Sequence, residues 1–421
     1  MVDAPYSGMA APARSGVQAL SLRLLLLCLA SGFVIIIEPA PSDLFFALGF
    51  GVLLLAGCRS IFVPEALHAY FGLLFVFVVL NIVSLFFAQS FMFGLKYLLI
   101  TVYLILIPPV MAHFTFLFGR PALDKMHLAF TIGASISAVI GLMALLHVAP
   151  GPLTLYFREA DGLRLSPLFK DPNVYGPYMS AAGLLLVSRM CCEGAKSRLL
   201  GFGLAGFILL LMFLTFSRGA WLNSAIAGIV FIFCMLVFGG AWRQVKWVVI
   251  LSLAACVVLL VGGPFVLGQL GLTDFFNNRA RIQSYDSNRF GNWVVALGVI
   301  GIEPLGVGPG HYVGRTHFPQ SAFALATHNV FLKVAVENGW LAFLAFFGAL
   351  GSLLAALAVS FLLRDARQPI RIMLFSIIIG QLANSVVVDS LHWRHFFVVL
   401  GFACAEIALV TRNKWKRRDP G

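Results

Sequence analysis

The chain has 421 residues, of which 60% are hydrophobic and only 11% are charged. A soluble domain is nearer half apolar and a quarter charged, so this composition excludes a soluble enzyme or binding module and indicates an integral membrane protein. The net charge of +12 would suggest nucleic acid in a soluble protein. In a membrane protein the position of the charges matters more than their sum, and we expect no nucleic-acid partner.

Apolar runs of the length that crosses a bilayer as a helix recur along the whole chain. They predict an all-α, polytopic fold that forms a single membrane domain over residues 1–421, with a long loop at 269–328 between spans nine and ten. The first run lacks a convincing cleavage site after it, so it is predicted as a retained span and not a cleaved signal peptide. The predicted spans are about twelve: 19–37, 43–58, 66–88, 93–118, 127–148, 174–190, 198–216, 219–240, 245–268, 329–363, 371–388 and 395–411.

Lysine and arginine are distributed unevenly between alternate loops. With the N-terminus in the cytoplasm, 18 of the 29 basic residues fall on the cytoplasmic side and 9 on the external side. Because cytoplasmic loops carry the excess of positive charge, both termini are predicted to be cytoplasmic and the 269–328 loop external. The basic tail at 412–421 then faces the cytoplasmic leaflet, where it can contact anionic lipid.

Eight of the nine external basic residues are arginines, and they lie in only four loops. They include Arg164 in the loop 149–173, Arg218 in a tight turn between two spans, and Arg289 in the long loop. The loop 149–173 ends in Asp171-Pro172-Asn173, which predicts a helix start, and Phe290–Ile302 in the long loop predicts a helix along the membrane interface. Any one of these arginines could simply reach toward lipid headgroups. As a set they predict a site for an anionic ligand, because the planar guanidinium stays charged and donates paired hydrogen bonds to phosphate.

The pair His328-Asn329 opens the tenth predicted span. A histidine there is either an interfacial or capping residue, or a general base that orients a hydroxyl group. Its position between the long loop and a span favours the functional interpretation. Lys333 and Glu337 follow at helical spacing, and they either neutralise each other or act directly; the sequence leaves both open.

Other patterns are weaker. Gly306-Val-Gly-Pro-Gly310 follows a helix-like segment and not a strand, so it predicts a turn and not a nucleotide-binding loop. The seven cysteines show no metal-site spacing, and His311 and His317 lack a carboxylate or thiol partner at ligand spacing. We therefore expect no metal, no disulfide and no cofactor.

Three blocks of sequence resemble the O-antigen ligase and polysaccharide polymerase family of bacterial C-type membrane glycosyltransferases. The first is RLSPLFKDPNVYG, from Arg164. The second is TFSRGAWL, from Thr215. The third contains Arg289, Trp293, Pro304-Leu-Gly-Val-Gly, His328-Asn329 and Gly339-Trp-Leu-Ala342. The resemblance covers roughly residues 150–345, and Ala342 stands where the family often has Gly, Thr or Tyr.

The resemblance implies glycan transfer at the periplasmic face of a bacterial inner membrane, from an undecaprenyl-pyrophosphate-linked donor. The acceptor is lipid A-core in ligases and another lipid-linked repeat unit in polymerases, and the sequence does not decide between them. By position, the resemblance implies catalytic roles for His328, Arg289 and Arg218, without metal. The substrate-binding residues it implies are Arg164, Asn173, Asn329 and Trp293. A transporter of lipid-linked glycan is the rival from another class; transporters place polar residues near the bilayer midplane, whereas here they gather at one face.

Overall fold

A computed structural model describes residues 12–55, 61–146, 148, 164–239, 284–312 and 327–418, together with positions 265, 268, 269, 273 and 277. Most of the predicted ninth span and much of the 269–328 loop lie outside the described residues. The helices are α1 Pro12–Ser31, α2 Pro41–Leu55, α3 His68–Leu85, α4 Phe91–Ile105, α5 Ile107–Phe118, α6 Arg120–Leu145, α7 Pro172–Met190, α8 Ala195–Phe213, α9 Arg218–Phe238, α10 Ser284–Ile302, α11 Val330–Asn338, α12 Trp340–Ser360, α13 Gln368–Asn384 and α14 Arg394–Arg418. A 3₁₀ turn, Glu65–Leu67, precedes α3.

Several of these helices suit a bilayer by length and composition. Six described segments are long and apolar enough to cross a membrane: Glu65–Leu85, Phe91–Phe118, Arg120–Leu145, Arg218–Phe238, Trp340–Ser360 and Arg394–Trp415. Shorter apolar helices lie at Gly16–Ser31, Pro41–Leu55, Ser197–Phe213 and Arg289–Ile302. The predicted all-helical membrane architecture is confirmed for the described part of the chain, while the number twelve stays a prediction.

Two predicted spans each consist of two helices. The fourth is divided at Leu106, directly before Pro108 and Pro109, whose nitrogens cannot donate to the preceding turn. The tenth is divided at Gly339, which has φ +85°. A Cβ at Gly339 would lie 2.5 Å from the carbonyl oxygen of Pro304. The apolar pattern runs through both breaks, so the sequence alone predicts continuous helices there.

Small residues let the long helices approach closely. α9 packs along α13 and also against α7. A Cβ at Gly380 would collide with the backbone oxygen of Asn223, and one at Gly176 would lie 2.5 Å from Cβ of Ala220. Such contacts between small residues are the usual way in which membrane helices associate. They bring the ends of α7, α9 and α13 together.

The upper end of the bundle is the end at which α2, α4, α7, α9, α11 and α14 begin. Its connecting segments are joined by hydrogen bonds between distant parts of the chain. The backbone N–H of Ile35 donates to the Leu168 carbonyl oxygen at 2.9 Å. The N–H of Ser90 donates to Nε2 of His311 at 3.1 Å. Every residue of the predicted site that the sequence singled out lies at this end.

The lower end is held by a buried ionic network. Arg367 donates to both carboxylate oxygens of Glu406 from Nε at 3.1 Å. Its Nη1 donates to Asp124 at 2.9 Å. Next to it, Gln368 Nε2 donates to the backbone oxygen of Phe238 at 3.1 Å. These contacts tie α6, α9, α13 and α14 together at the end opposite the predicted site.

Candidate active site

The start of α7 forms one side of the site. Asp171 caps the helix, accepting a hydrogen bond from the Asn173 N–H at 2.7 Å, and Pro172 occupies the first turn, where a missing N–H costs nothing. The helix start predicted from Asp171-Pro172-Asn173 is therefore confirmed. The Asn173 side chain is half-buried and faces the turn that precedes α9.

Arg164 connects this helix start to the neighbouring turn. It is only 4% exposed. Its Nε donates to the Thr215 carbonyl oxygen at 3.1 Å, and its Nη2 donates to Oδ1 of Asn173 at 2.8 Å. The Ser217 hydroxyl donates to the same Asn173 oxygen at 3.0 Å. One amide oxygen thus joins two segments that the sequence places more than forty residues apart.

Arg218 is the first residue of α9 and is half-buried. Ser217 caps the helix by accepting from the Ala220 N–H at 3.3 Å. Behind the arginine, Gly219 packs so closely on the fully buried Asn384 side chain that a Cβ there would collide with its amide oxygen. Because the turn is fixed on both sides, the backbone of Arg218 has little freedom.

His328 occupies the connection that leads into α11. Its φ is +46°, a left-handed conformation that is uncommon for a residue with a side chain. The following Asn329 caps α11, and its Oδ1 accepts from the N–H groups of Phe331 at 2.9 Å and Leu332 at 3.1 Å. The N–H of Val330 donates to the Ser385 carbonyl oxygen at 2.9 Å. The strained conformation of His328 is thus fixed by its neighbours, as is common at functional sites.

Helix α10 brings Arg289 to this histidine. The Trp293 indole N–H donates to the Thr327 carbonyl oxygen at 2.9 Å, which attaches α10 directly before His328. Arg289 lies four residues earlier and therefore on the same helix face. It is half-buried and close enough to His328 to affect the histidine's charge state. The predicted helix within the long loop is confirmed.

Charged groups from four segments act on His328. Burial and, after it, the guanidinium of Arg289 lower the pKa of His328 below its ordinary value of 6.5. The carboxylates of Asp389 and Asp171 act in the opposite direction but are weaker, and the ammonium of Lys333 lowers the pKa least. The imidazole is therefore neutral at pH 7, as a proton acceptor must be. Asp171 also caps α7, so its effect on the pKa of His328 indicates that the start of α7 lies near this histidine.

Lys333 has a partner that the sequence did not indicate. Its ammonium group lies 2.6 Å from Oδ2 of Asp389, in the connection between α13 and α14. Glu337 instead accepts from the Gly310 N–H at 3.0 Å. Burial raises the pKa of Asp389, but the nearby ammonium of Lys333 outweighs this and keeps the net pKa below the usual range. Asp389 is 56 residues from Lys333, so no local spacing could have revealed the pair.

The three glycines of the sequence Gly306–Gly310 form the predicted turn. Gly306, Gly308 and Gly310 all have positive φ, at +85°, +98° and +73°. A Cβ at Gly310 would lie 2.7 Å from the ring of Tyr97, so the turn fits tightly against α4. The turn therefore serves to attach the segment after α10 to the bundle.

Three capped helix starts, those of α7, α9 and α11, lie around the site. A helix N-terminus carries a partial positive charge and favours anions. Together with Arg218 and Arg289, they produce a positive environment at the upper end. Within it lies a neutral histidine with two carboxylates near it. Such an arrangement can bind a phosphate group and accept a proton from a hydroxyl group.

The fold and the site define a helical membrane protein with a candidate transfer site at one end of its bundle. Residues 203–347 match the family described as O-antigen ligase, over about a third of the chain. The match includes Arg218, Arg289, Trp293 and His328 and confirms the family resemblance, whereas the Arg164 block precedes it. It implies glycan transfer of the O-antigen ligase type, with lipid-linked glycan and acceptor substrates in a membrane. No curated protein matches the chain.

Proposed function

We propose that the protein transfers a glycan from an undecaprenyl-pyrophosphate-linked donor to a saccharide acceptor on the periplasmic side of a bacterial inner membrane. Both termini would then be cytoplasmic. The observation that carries the proposal is the half-buried His328, whose pKa is lowered by burial and by the guanidinium of Arg289, at the end of the bundle where Arg218 begins α9. A base beside fixed cations is what displacement of a pyrophosphate by a hydroxyl group requires.

In this mechanism the acceptor hydroxyl oxygen attacks the anomeric carbon of the donor sugar and forms the new glycosidic bond. The bond from that carbon to the pyrophosphate oxygen breaks, and undecaprenyl pyrophosphate leaves with the electron pair. The hydroxyl proton passes to the neutral imidazole of His328. A single displacement inverts the configuration at the anomeric carbon, and the imidazolium that forms is stabilised by Asp389 and Asp171.

Arg289 and Arg218 stabilise the leaving group. Negative charge grows on the bridging oxygen as the bond breaks, and cations that are already in place lower the barrier without reorganisation. Removal of one such fixed donor typically costs about 10²–10³ in rate. Arg164, Asn173, Trp293 and Asn329 shape the site: in this structure their polar atoms bond protein groups that position Arg218, Arg289 and His328. The positive charge required for the reaction comes from the arginines, and we propose that no metal takes part.

For the acceptor we propose lipid A-core, so that the reaction is ligation. The description of the matched family favours a ligase over a polymerase, in which the acceptor is a second lipid-linked repeat unit. The two reactions share the chemistry at His328. They differ in the acceptor molecule, and therefore in whether lipid A-core or a lipid-linked repeat unit saturates the enzyme.

The test is transfer by the purified protein in nanodiscs, with a lipid-linked glycan donor and lipid A-core as acceptor. His328→Ala and the double variant Arg218→Ala/Arg289→Ala should each reduce the rate at least about a hundredfold. Matched controls are His68→Ala and Arg364→Ala, which alter exposed residues at the lower end and should retain the wild-type rate.

Each outcome has a defined meaning. Wild-type transfer by His328→Ala would contradict its assignment as the base. Extension of the donor glycan without lipid A-core would identify a polymerase. Passage of labelled donor across the bilayer, without a new glycosidic bond, would identify a transporter instead. Equal loss in the two control variants would mean that the substitutions act through folding.

A further inference from the structure

A large cavity opens at the upper end, beside the candidate active site. Its volume is about 890 Å³, within the range of about 300–1,000 Å³ that is usual for ligand sites. It lies between the start of α2, one side of α4 and the start of α14. The lining residues are Glu38, Pro39, Asp43, Met92, Leu95, Lys96, Tyr97, Leu99, Ile100, Tyr103, Leu104, His392 and Arg394.

One side of this cavity is apolar and open to the outside of the bundle. Met92, Leu95 and Leu99 follow one another at helical spacing along α4. Met92 is 72% exposed and Leu99 is 58% exposed. Apolar side chains that form a continuous exposed stripe on a membrane protein suit contact with an acyl chain. The open side of the cavity therefore suits the lipid part of an amphiphile.

The inner side of the cavity is aromatic and polar. Tyr97 and Tyr103 provide two rings, and a tyrosine ring offers an apolar face together with a hydroxyl group. The Tyr103 hydroxyl donates to Oδ1 of Asp43 at 2.8 Å. Flat aromatic faces beside carboxylates are chemistry that suits a sugar, whose ring has apolar C–H faces and hydroxyl edges. The inner side therefore suits a saccharide headgroup.

The charges of the lining favour an anion. Asp43 is bound by Arg394 through two hydrogen bonds of 2.6 Å each, and Glu38 forms an ion pair with Lys170 at 2.5 Å. Both carboxylates are thus already compensated. Lys96 is exposed at the cavity wall and adds a further positive charge. The site is complementary to a saccharide lipid that carries an acidic group.

A short series of contacts connects the cavity to His328. The ring of Tyr97, in the cavity wall, lies 5.7 Å from the ammonium of Lys333 and 5.5 Å from the ring of His392. Lys333 bonds Asp389, and both act on the charge state of His328. A headgroup against Tyr97 is therefore separated from the candidate base by one layer of side chains. The arginines Arg164 and Arg218 belong to the α7–α9 side of the site.

We propose that this cavity is the acceptor site, and that it holds an anionic, acylated saccharide whose sugar lies on Tyr97 and whose acyl chain lies along α4. The inference rests on the proposed function, in which the donor pyrophosphate is held by Arg218 and Arg289. The two substrates then approach His328 from different sides. This arrangement lets the acceptor hydroxyl and the leaving pyrophosphate take the opposed positions that a displacement needs.

The test uses two variants of the cavity that spare all residues assigned to the chemistry. Lys96→Glu reverses the exposed charge, and Leu99→Trp fills the apolar side. Their matched controls are Lys125→Glu, an exposed lysine on α6, and Leu128→Trp, which is 53% exposed on the same helix. The probe is lipid A-core without O-antigen, measured first for binding by native mass spectrometry and then as acceptor in transfer.

Lys96→Glu and Leu99→Trp should weaken binding of the probe and raise its KM about five- to tenfold, with the KM of the lipid-linked donor unchanged. The controls should match wild type. A raised donor KM with an unchanged acceptor KM would assign the cavity to the donor and overturn the proposal. Unchanged KM values for both substrates would also overturn it. If wild type binds the probe through Lys96 and Leu99 but transfers no glycan, the proposed function fails while the binding site stands.

Discussion

Substitution of Asn173 can separate the stability of the site from its chemistry. Its amide oxygen accepts from Arg164 at 2.8 Å and from Ser217 at 3.0 Å. Asn173→Ala removes an acceptor from a guanidinium that is 4% exposed, at a cost of about 1.5–3 kcal/mol. Asn173→Asp keeps an oxygen in that position and adds a negative charge that Arg164 compensates. We therefore expect the alanine variant to unfold at lower temperature and the aspartate variant to be as stable as wild type.

The same aspartate should impair transfer. If a bound pyrophosphate lies about 8 Å from this carboxylate, and the effective dielectric constant is about 20, one added negative charge opposes binding by about 2 kcal/mol. This corresponds to a donor affinity lower by about thirtyfold. Asn413→Asp, at an exposed position near the lower end, controls for the change in net charge.

The assay combines thermal unfolding of the purified variants with donor saturation curves in nanodiscs. The expected pattern is a wild-type Tm and a raised donor KM for Asn173→Asp, and a lowered Tm for Asn173→Ala. A wild-type donor KM for a stable Asn173→Asp protein would refute the reasoning, because an anion site tolerates no new anion beside it. A lowered Tm for both variants would show that the amide N–H₂ group, and not the oxygen, holds the segment.

Four further outcomes follow from the contacts of the site. Asp171→Asn keeps a good helix cap but removes a carboxylate that raises the pKa of His328. The transfer rate decreases as His328 becomes protonated below pH 6.5, and in the variant this decrease should occur at a lower pH than in wild type. A pH–rate profile that does not move would speak against His328 as base. Lys333→Ala should destabilise the protein by about 1–3 kcal/mol, since it leaves the half-buried Asp389 carboxylate without its partner, and adding Asp389→Ala should restore part of the loss in unfolding experiments. Gly339→Ala, at φ +85°, should cost about 1–2 kcal/mol from backbone strain before any clash is counted, visible as a lower Tm. Transfer should continue in excess EDTA, because arginines supply the positive charge; loss of activity that Mg²⁺ restores would contradict this.

The features that the sequence predicted are those encoded by neighbouring residues. Composition and apolar run length gave the helical membrane architecture, and Asp171-Pro172-Asn173 gave a helix start, because capping depends on positions two or three apart. The break at Gly339 was not predicted. A single glycine in an apolar run is compatible with a continuous helix, and the carbonyl oxygen of Pro304 that requires it comes from another segment.

The residues that the sequence missed are paired across long stretches of chain. Asp389 lies in a connection with no recognisable motif, and its partner Lys333 had a nearer carboxylate, Glu337, at the spacing of a helical ion pair. In the structure the Glu337 carboxylate accepts a hydrogen bond from the Gly310 N–H, and Lys333 forms its ion pair with Asp389. Which of two carboxylates a lysine selects depends on how the helices pack, and the local pattern contains no information about that.

The arginines of the site do not share one task, and burial is what distinguishes them. Arg164 is almost fully buried, and its Nε and Nη2 donate to Thr215 and Asn173. Arg218 and Arg289 are half-buried; Arg218 begins α9, and Arg289 lies within α10. A cation that must meet a substrate needs donors that face the substrate, whereas a cation that joins two loops needs donors that face the protein. Loss of Arg164 should therefore displace the turn that carries Arg218, because one guanidinium bonds both the Thr215 carbonyl oxygen and the Asn173 amide oxygen.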